Sequence, residues 1–163
     1  FAGAPLLVMF ICNHCPFVKH VREELARIGR DYGTRGVAIV AISSNDAAAY
    51  PADAPDRMSE EKRDAAYPFP YLFDETQQIA RDFGAGYTPE FFVLNRDRKI
   101  AYMGSMDDSQ ASKAQSAFFS ARMEKLVIVG RSATSARMRE PLSGMPISVA
   151  TIARSARKSR SGA

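Results

Sequence analysis

Only two cysteines occur in the 163 residues, and both lie in one short unit, Cys12-Asn13-His14-Cys15. Leu6-Leu7-Val8-Met9-Phe10-Ile11 runs directly into it, an unbroken apolar stretch with the length of a buried strand. Beyond it Val18, Val21, Leu25, Ile28 and Tyr32 recur at spacings of three and four, which is one face of an amphipathic helix. Gly33 suits the end of that helix. The cysteine pair is thus expected where a buried strand gives way to a helix. A helix N-terminus offers unpaired N–H groups and the positive end of the dipole, and both favour an anion. On this reasoning Cys12 ionises more easily than an ordinary thiol and is the exposed nucleophile, with Cys15 buried in the first turn. Pro16 fits the first turn, where its missing N–H costs nothing. A protonated His14 would add to the stabilisation of a neighbouring thiolate and make the couple more oxidising.

The remaining pattern extends the α/β reading. Val37 to Ile42 is a second buried strand rich in β-branched residues, followed by the polar loop Ser43-Ser44-Asn45-Asp46. In open α/β sheets active sites gather at the C-terminal ends of strands. Pro51 and Pro55 mark an irregular connection, and residues 59–66 read as a short exposed helix stopped by Pro68 and Pro70. Tyr71-Leu72-Phe73 reads as a brief edge strand, and 76–83 as a helix ended by Gly84. After Thr88-Pro89 comes a hairpin with strands 90–94 and 99–103 around a turn at 95–98. Residues 112–129 are expected to form a last helix that presents Phe118, Phe119, Met123 and Leu126 to the sheet. We divide the chain into a domain over 1–130 and a basic, poorly patterned tail over 131–163.

Composition narrows the class. Hydrophobic residues make up 46% and charged residues 25%, and the longest apolar run is too short to cross a bilayer. The net charge is +4, but residues 131–163 carry their Arg and Lys side chains, from Arg131 to Arg160, against one acid, Glu140. The high pI therefore belongs to the tail. That tail has no aromatic residue to stack on bases, so no nucleic-acid partner is expected. From Ser132 onward the apolar period is lost, and the Arg, Ser, Ala and Gly content is what an out-of-frame reading of a GC-rich gene would give. Part of 110–163 is accordingly expected to have no packing role. Val149 and Ile152 are the only large apolar residues in 148–163, too few to offset the entropy of ordering that stretch. The chain opens at Phe1, almost on a strand, and we read an N-terminal extension as missing; no secretory signal is visible, and a bacterial-type cytoplasmic location is the expectation.

Several stretches in order carry a resemblance: residues 12–20, Ser44-Asn45-Asp46, residues 69–76, Thr88-Pro89-Glu90-Phe91-Phe92 and residues 104–109. Together they resemble the thioredoxin-fold, redoxin-type thioredoxin-like proteins of bacteria, relatives of the alkyl hydroperoxide reductase/thiol-specific antioxidant group. The resemblance implies a thioredoxin-like α/β fold: a central mixed sheet flanked by helices, with a βαβ unit, then a ββ hairpin and a C-terminal helix. It implies that Cys12 attacks a disulfide, that Cys15 resolves the mixed disulfide, and that Pro89 is cis and faces the cysteines. Asn13, Pro16 and Thr88 would then meet the substrate, Thr88 through its backbone. The expected partners are a protein or small-molecule disulfide and a thiol electron donor, met by a monomer without a cofactor.

The chain departs from that group in places. Many thioredoxins keep a buried acid on the strand before the cysteines, where Val8, Met9 and Phe10 offer none; His14, Glu24 and Asp46 remain as proton acceptors for Cys15. No third cysteine is present. A zinc site needs four ligands, and only His14 and His20 could join the cysteines, so no metal is expected. A peroxiredoxin-like peroxidase is the competing enzyme class, but it places a threonine or serine three residues before its reactive cysteine, and Met9 stands there. A redox sensor without turnover is the third reading.

Overall fold

The computed structural model describes residues 3–106 and 123–124. Five strands form one mixed sheet in the order β3-β2-β1-β4-β5. Strand β1 (Leu6–Phe10) lies at the centre and is buried along its whole length. It pairs in parallel with β2 (Ala38–Ser43), which pairs in parallel with β3 (Tyr71–Phe73). On its other side β1 pairs antiparallel with β4 (Glu90–Leu94), and β4 pairs antiparallel with β5 (Ile100–Gly104). This is the thioredoxin-like arrangement: a parallel crossover unit on one side of the central strand and a hairpin on the other.

Strand β1 is apolar throughout because both faces of the sheet are covered. Leu7, Met9 and Ile11 face one core layer with Leu25, Ile28 and Tyr32. Leu6, Val8 and Phe10 face the other, with Ile79 and Phe83. In that second layer the rings of Phe10, Phe83 and Phe92 meet edge to face at 5.2–5.6 Å. Phe91 and Phe92 are both fully buried, one toward each layer.

The helix expected after the cysteines is two: α1 (Pro16–His20) and α2 (Arg22–Gly33). Val21 breaks them with φ −97° and ψ 7°, while its carbonyl still accepts from Leu25 N–H at 2.9 Å. The apolar period runs through this bend, so spacing alone could not show it. Helix α3 (Pro55–Asp64) starts earlier than the sequence suggested. Pro55 occupies its first turn, where proline is favoured, so a residue read as a breaker is a starter. A 3₁₀ turn, Pro51–Asp53, precedes it. Helix α4 spans Gln78–Phe83, and Gly84 ends it with φ +67°. Gly29 on α2 lets the 68–69 segment approach: a Cβ there would stand 2.6 Å from Pro68 Cγ and 2.7 Å from Phe69 Cδ1. The expected helix over 112–129 lies outside the described residues except for 123–124, which are helical, and the tail over 131–163 lies outside them entirely.

Candidate active site

Cys12 and Cys15 sit at the C-terminal end of β1, as the apolar run and the helix pattern required. Cys15 is the residue that leads into α1, and Pro16 is that helix's first residue. Neither cysteine is in a disulfide in this structure. The Thr88–Pro89 peptide is cis, and it delivers Thr88 to both sulfurs. Thr88 Oγ1 lies 3.3 Å from Cys12 Sγ, and Cys15 Sγ donates to the Thr88 carbonyl at 3.4 Å. The loop behind Thr88 is braced by Glu90, a buried acid whose carboxylate accepts from Gly86 N–H at 2.8 Å.

Two expectations about Cys12 are overturned. It is 1% exposed against 8% for Cys15, so it is not the open thiol of the pair. Its pKa is raised, not lowered. Burial pushes the thiol up and the negative charge of Asp53 adds to that, while hydrogen bonds from the Thr88 hydroxyl and the Cys15 N–H pull the other way. A helix of five residues that begins four positions after Cys12 offers the sulfur little of the dipole.

Asp53 is the functional group the sequence reading missed. It is fully buried at the end of the 3₁₀ turn, and its two oxygens accept four hydrogen bonds. Oδ1 takes the backbone N–H groups of Asn13 at 2.7 Å and His14 at 3.1 Å. Oδ2 takes Asn45 Nδ2 at 2.7 Å and His14 Nδ1 at 2.6 Å. Burial alone would raise this carboxyl, but the donors from Asn45, His14 and Asn13 outweigh it and hold the pKa below the usual aspartate value. An ionised Asp53 fixes the proton of His14 on Nδ1 and leaves Nε2 as its second working nitrogen. The His14 ring stacks on Tyr50 with centroids 4.5 Å apart and planes 4° from parallel. Neither Glu24 nor Asp46 is the buried acid near the cysteines: Glu24 pairs with Arg27, and Asp46 caps Ala48 N–H at 2.9 Å. The signal for Asp53 was an acid between two prolines in Tyr50-Pro51-Ala52-Asp53-Ala54-Pro55, where rigid flanks hold one side chain in place.

A cleft of 570 Å³ opens over this assembly. Cys15, Pro16 and Thr88 line it, with His14, Asn45, Tyr50, Phe17, Arg81 and Tyr87. Phe17, Tyr50 and Tyr87 are each about half exposed at its rim. Asn13 does not line this cleft. Its Nδ2 donates to Ala52 O at 2.9 Å and its Oδ1 accepts from Tyr71 O–H at 3.0 Å, so the side chain ties the cysteine turn to the fold. Tyr71 stays protonated through burial, with the charges of Cys12 and Asp53 nearby pushing in the same direction. One ligand atom each from Cys12, His14 and Asp53 lies within 4.8 Å of the others. Both Asp53 oxygens are already filled by donors, so a cation there would have to displace them. Among the described residues no helix is long and apolar enough to cross a membrane.

Comparison with solved structures places this geometry among known folds. The chain is 44% identical to an uncharacterized conserved protein from Geobacillus kaustophilus, with a TM-score of 0.72, over 77% of this chain and 68% of that one. It is 38% identical to a hypothetical protein from Sinorhizobium meliloti, again with a TM-score of 0.72, over 78% and 71% of the two chains. A secreted Mycobacterium tuberculosis disulfide oxidoreductase homologous to E. coli DsbE shares the fold at 18% identity, with a TM-score of 0.61 over 76% and 83%. Comparison with curated proteins finds no match. The AhpC/TSA family model matches residues 1–103, through every strand of the sheet but the last residue of β5, and the chain belongs to the AhpC/TSA family.

Proposed function

We propose that the protein is a thiol-disulfide oxidoreductase that cycles Cys12 and Cys15 between dithiol and disulfide. A Cys12 thiolate attacks a substrate disulfide, the mixed disulfide forms, and Cys15 attacks Cys12 Sγ to release the second substrate thiol. The observation that carries this reading is the placement of Thr88 against both sulfurs, its hydroxyl by Cys12 Sγ and its carbonyl by Cys15 Sγ. Once ionised, Cys12 Sγ can accept from the Thr88 hydroxyl at 3.3 Å and from the Cys15 N–H, as a nucleophilic thiolate needs. Cys15 Sγ instead donates, to the Thr88 carbonyl, as a waiting thiol does. The division of labour thus rests on hydrogen bonding rather than exposure, and the cleft beside Cys15 and Thr88 admits the substrate. The partners are a disulfide substrate and a thiol electron donor. A peroxidase reading gains nothing from the site, since fully buried Met9 stands where the peroxide-orienting hydroxyl would be.

Reduction of insulin disulfides by the purified protein with a thiol donor tests the reading. Turnover that is lost in both Cys12→Ser and Cys15→Ser supports it. Peroxide consumption without disulfide reduction would replace it with the peroxidase.

A further inference from the structure

Disulfide exchange has to place a proton. When Cys12 Sγ attacks R–S–S–R′, the Cys12–S–R bond forms, the S–S bond breaks, and its electron pair departs on R′–S⁻. An alkyl thiolate is a slow leaving group because its thiol has a pKa of about 8.5, and departure quickens as that value falls. An acid held at the departing sulfur lowers this barrier.

The structure holds one imidazole ready for that task. Its Nδ1 is committed to Asp53 at 2.6 Å, and no described residue bonds its Nε2. Tyr50 stacking sets the plane of the ring. The side chain is 36% exposed and lines the same cleft as Cys15 and Thr88, so incoming substrate can reach it. An imidazole nitrogen of the ring lies within 4.8 Å of Cys12 Sγ. Attacking and departing sulfurs are separated by two sulfur–sulfur bonds, roughly 4 Å in total, which is the same scale.

We propose that His14, fixed by Asp53, is the general acid that gives its Nε2 proton to the departing substrate thiolate; this rests on the exchange reading above. The protons balance. Ionisation of the Cys12 thiol passes one proton to His14, which hands it to R′–S⁻ to give R′–SH. Cys15 then attacks Cys12 Sγ, and the proton that Cys15 loses ends on R–S⁻ as R–SH. The protein finishes as the Cys12–Cys15 disulfide with neutral His14. Asp53 is the positioning residue.

The test compares two leaving groups on the reduced full chain: hydroxyethyl disulfide, which releases an alkyl thiol, and dithiobis-nitrobenzoate, whose aryl thiolate departs without a proton. His14→Asn keeps an N–H donor for Asp53 and removes Nε2; His14→Gln is the second variant. Each should slow the alkyl reaction by about tenfold or more and the aryl reaction by less than about threefold. Asp53→Asn should show the same split, which a purely structural loss would not. Equal slowing of both reactions, or no slowing, overturns the proposal. A wild-type protein inert to both disulfides overturns the exchange reading and this proposal with it.

Discussion

The Thr88 hydroxyl lies 3.3 Å from Cys12 Sγ, across 76 residues of sequence. It opposes the burial that raises the Cys12 pKa. Thr88→Val keeps the shape of the side chain and removes the donor. The Cys12 pKa should therefore rise further, and alkylation by iodoacetamide at neutral pH should slow. Thr88→Ser should restore both. The pH profile of thiolate absorbance reads the change, and an unmoved midpoint in Thr88→Val would sink the assignment.

A raised thiol pKa has a consequence for stability. In the unfolded chain Cys12 ionises near about pH 8.5, while the fold keeps it protonated to higher pH. Its contribution is complete below the unfolded value and is lost as pH rises through the folded one. Tyr67 and Tyr71, both raised chiefly by burial, extend the loss at higher pH. The urea midpoint of the reduced protein should fall from about pH 8.5 upward. Cys12→Ala should flatten the first part of that fall, and an unchanged slope would count against it.

Asp53 works in the opposite window. Its pKa is held below the usual value, so its contribution is present above about pH 4 and is lost as pH falls through the folded value. Asp53→Ala leaves the N–H groups of Asn13 and His14 and the side chains of Asn45 and His14 without their acceptor. A loss of about 3 kcal/mol at neutral pH is expected from donors stranded in this way. Denaturant unfolding of wild type and variant from pH 3 to 7 should show the gap narrowing in acid.

Gly29→Ala tests packing far from the cysteines. The added methyl meets Pro68 and Phe69 at under 3 Å, and the Phe69 ring is itself stacked on Tyr67 at 5.0 Å. Overpacking of this kind costs about 1–3 kcal/mol. Equilibrium unfolding should show that loss; a neutral variant would mean that the 68–69 segment yields.

The sheet was legible because β1 and β2 are unbroken apolar runs and because Cys12 and Cys15 mark a junction between a strand and a helix. The hairpin was legible from Thr88-Pro89 and the turn at 95–98. The site was legible where a local mark in the chain points to it. Cys12, His14 and Cys15 announce themselves by spacing, and Thr88 by its place before Pro89. Asp53 does not: its role arises from a 3₁₀ turn that brings it under a backbone segment 39–40 residues away, and no local period encodes that meeting. The exposure of Cys12 was misread for the same reason. A helix pattern shows which face is apolar, but not that residues from other segments close over the sulfur.

The cysteine turn is held from outside itself, by Asp53, Tyr71 and Thr88, each on a different stretch of chain. Those grips exist only while β1, β3 and β4 are in register. Folding and redox chemistry are then two sides of one thermodynamic square. Whatever the fold adds to the dithiol form over the disulfide form must appear again as extra resistance of the reduced protein to unfolding. Weakening a grip on the turn therefore shifts the reduction potential and the stability difference between the two redox states by the same free energy, so a denaturation curve taken in each state measures the potential relative to that of the unfolded chain without an electrode.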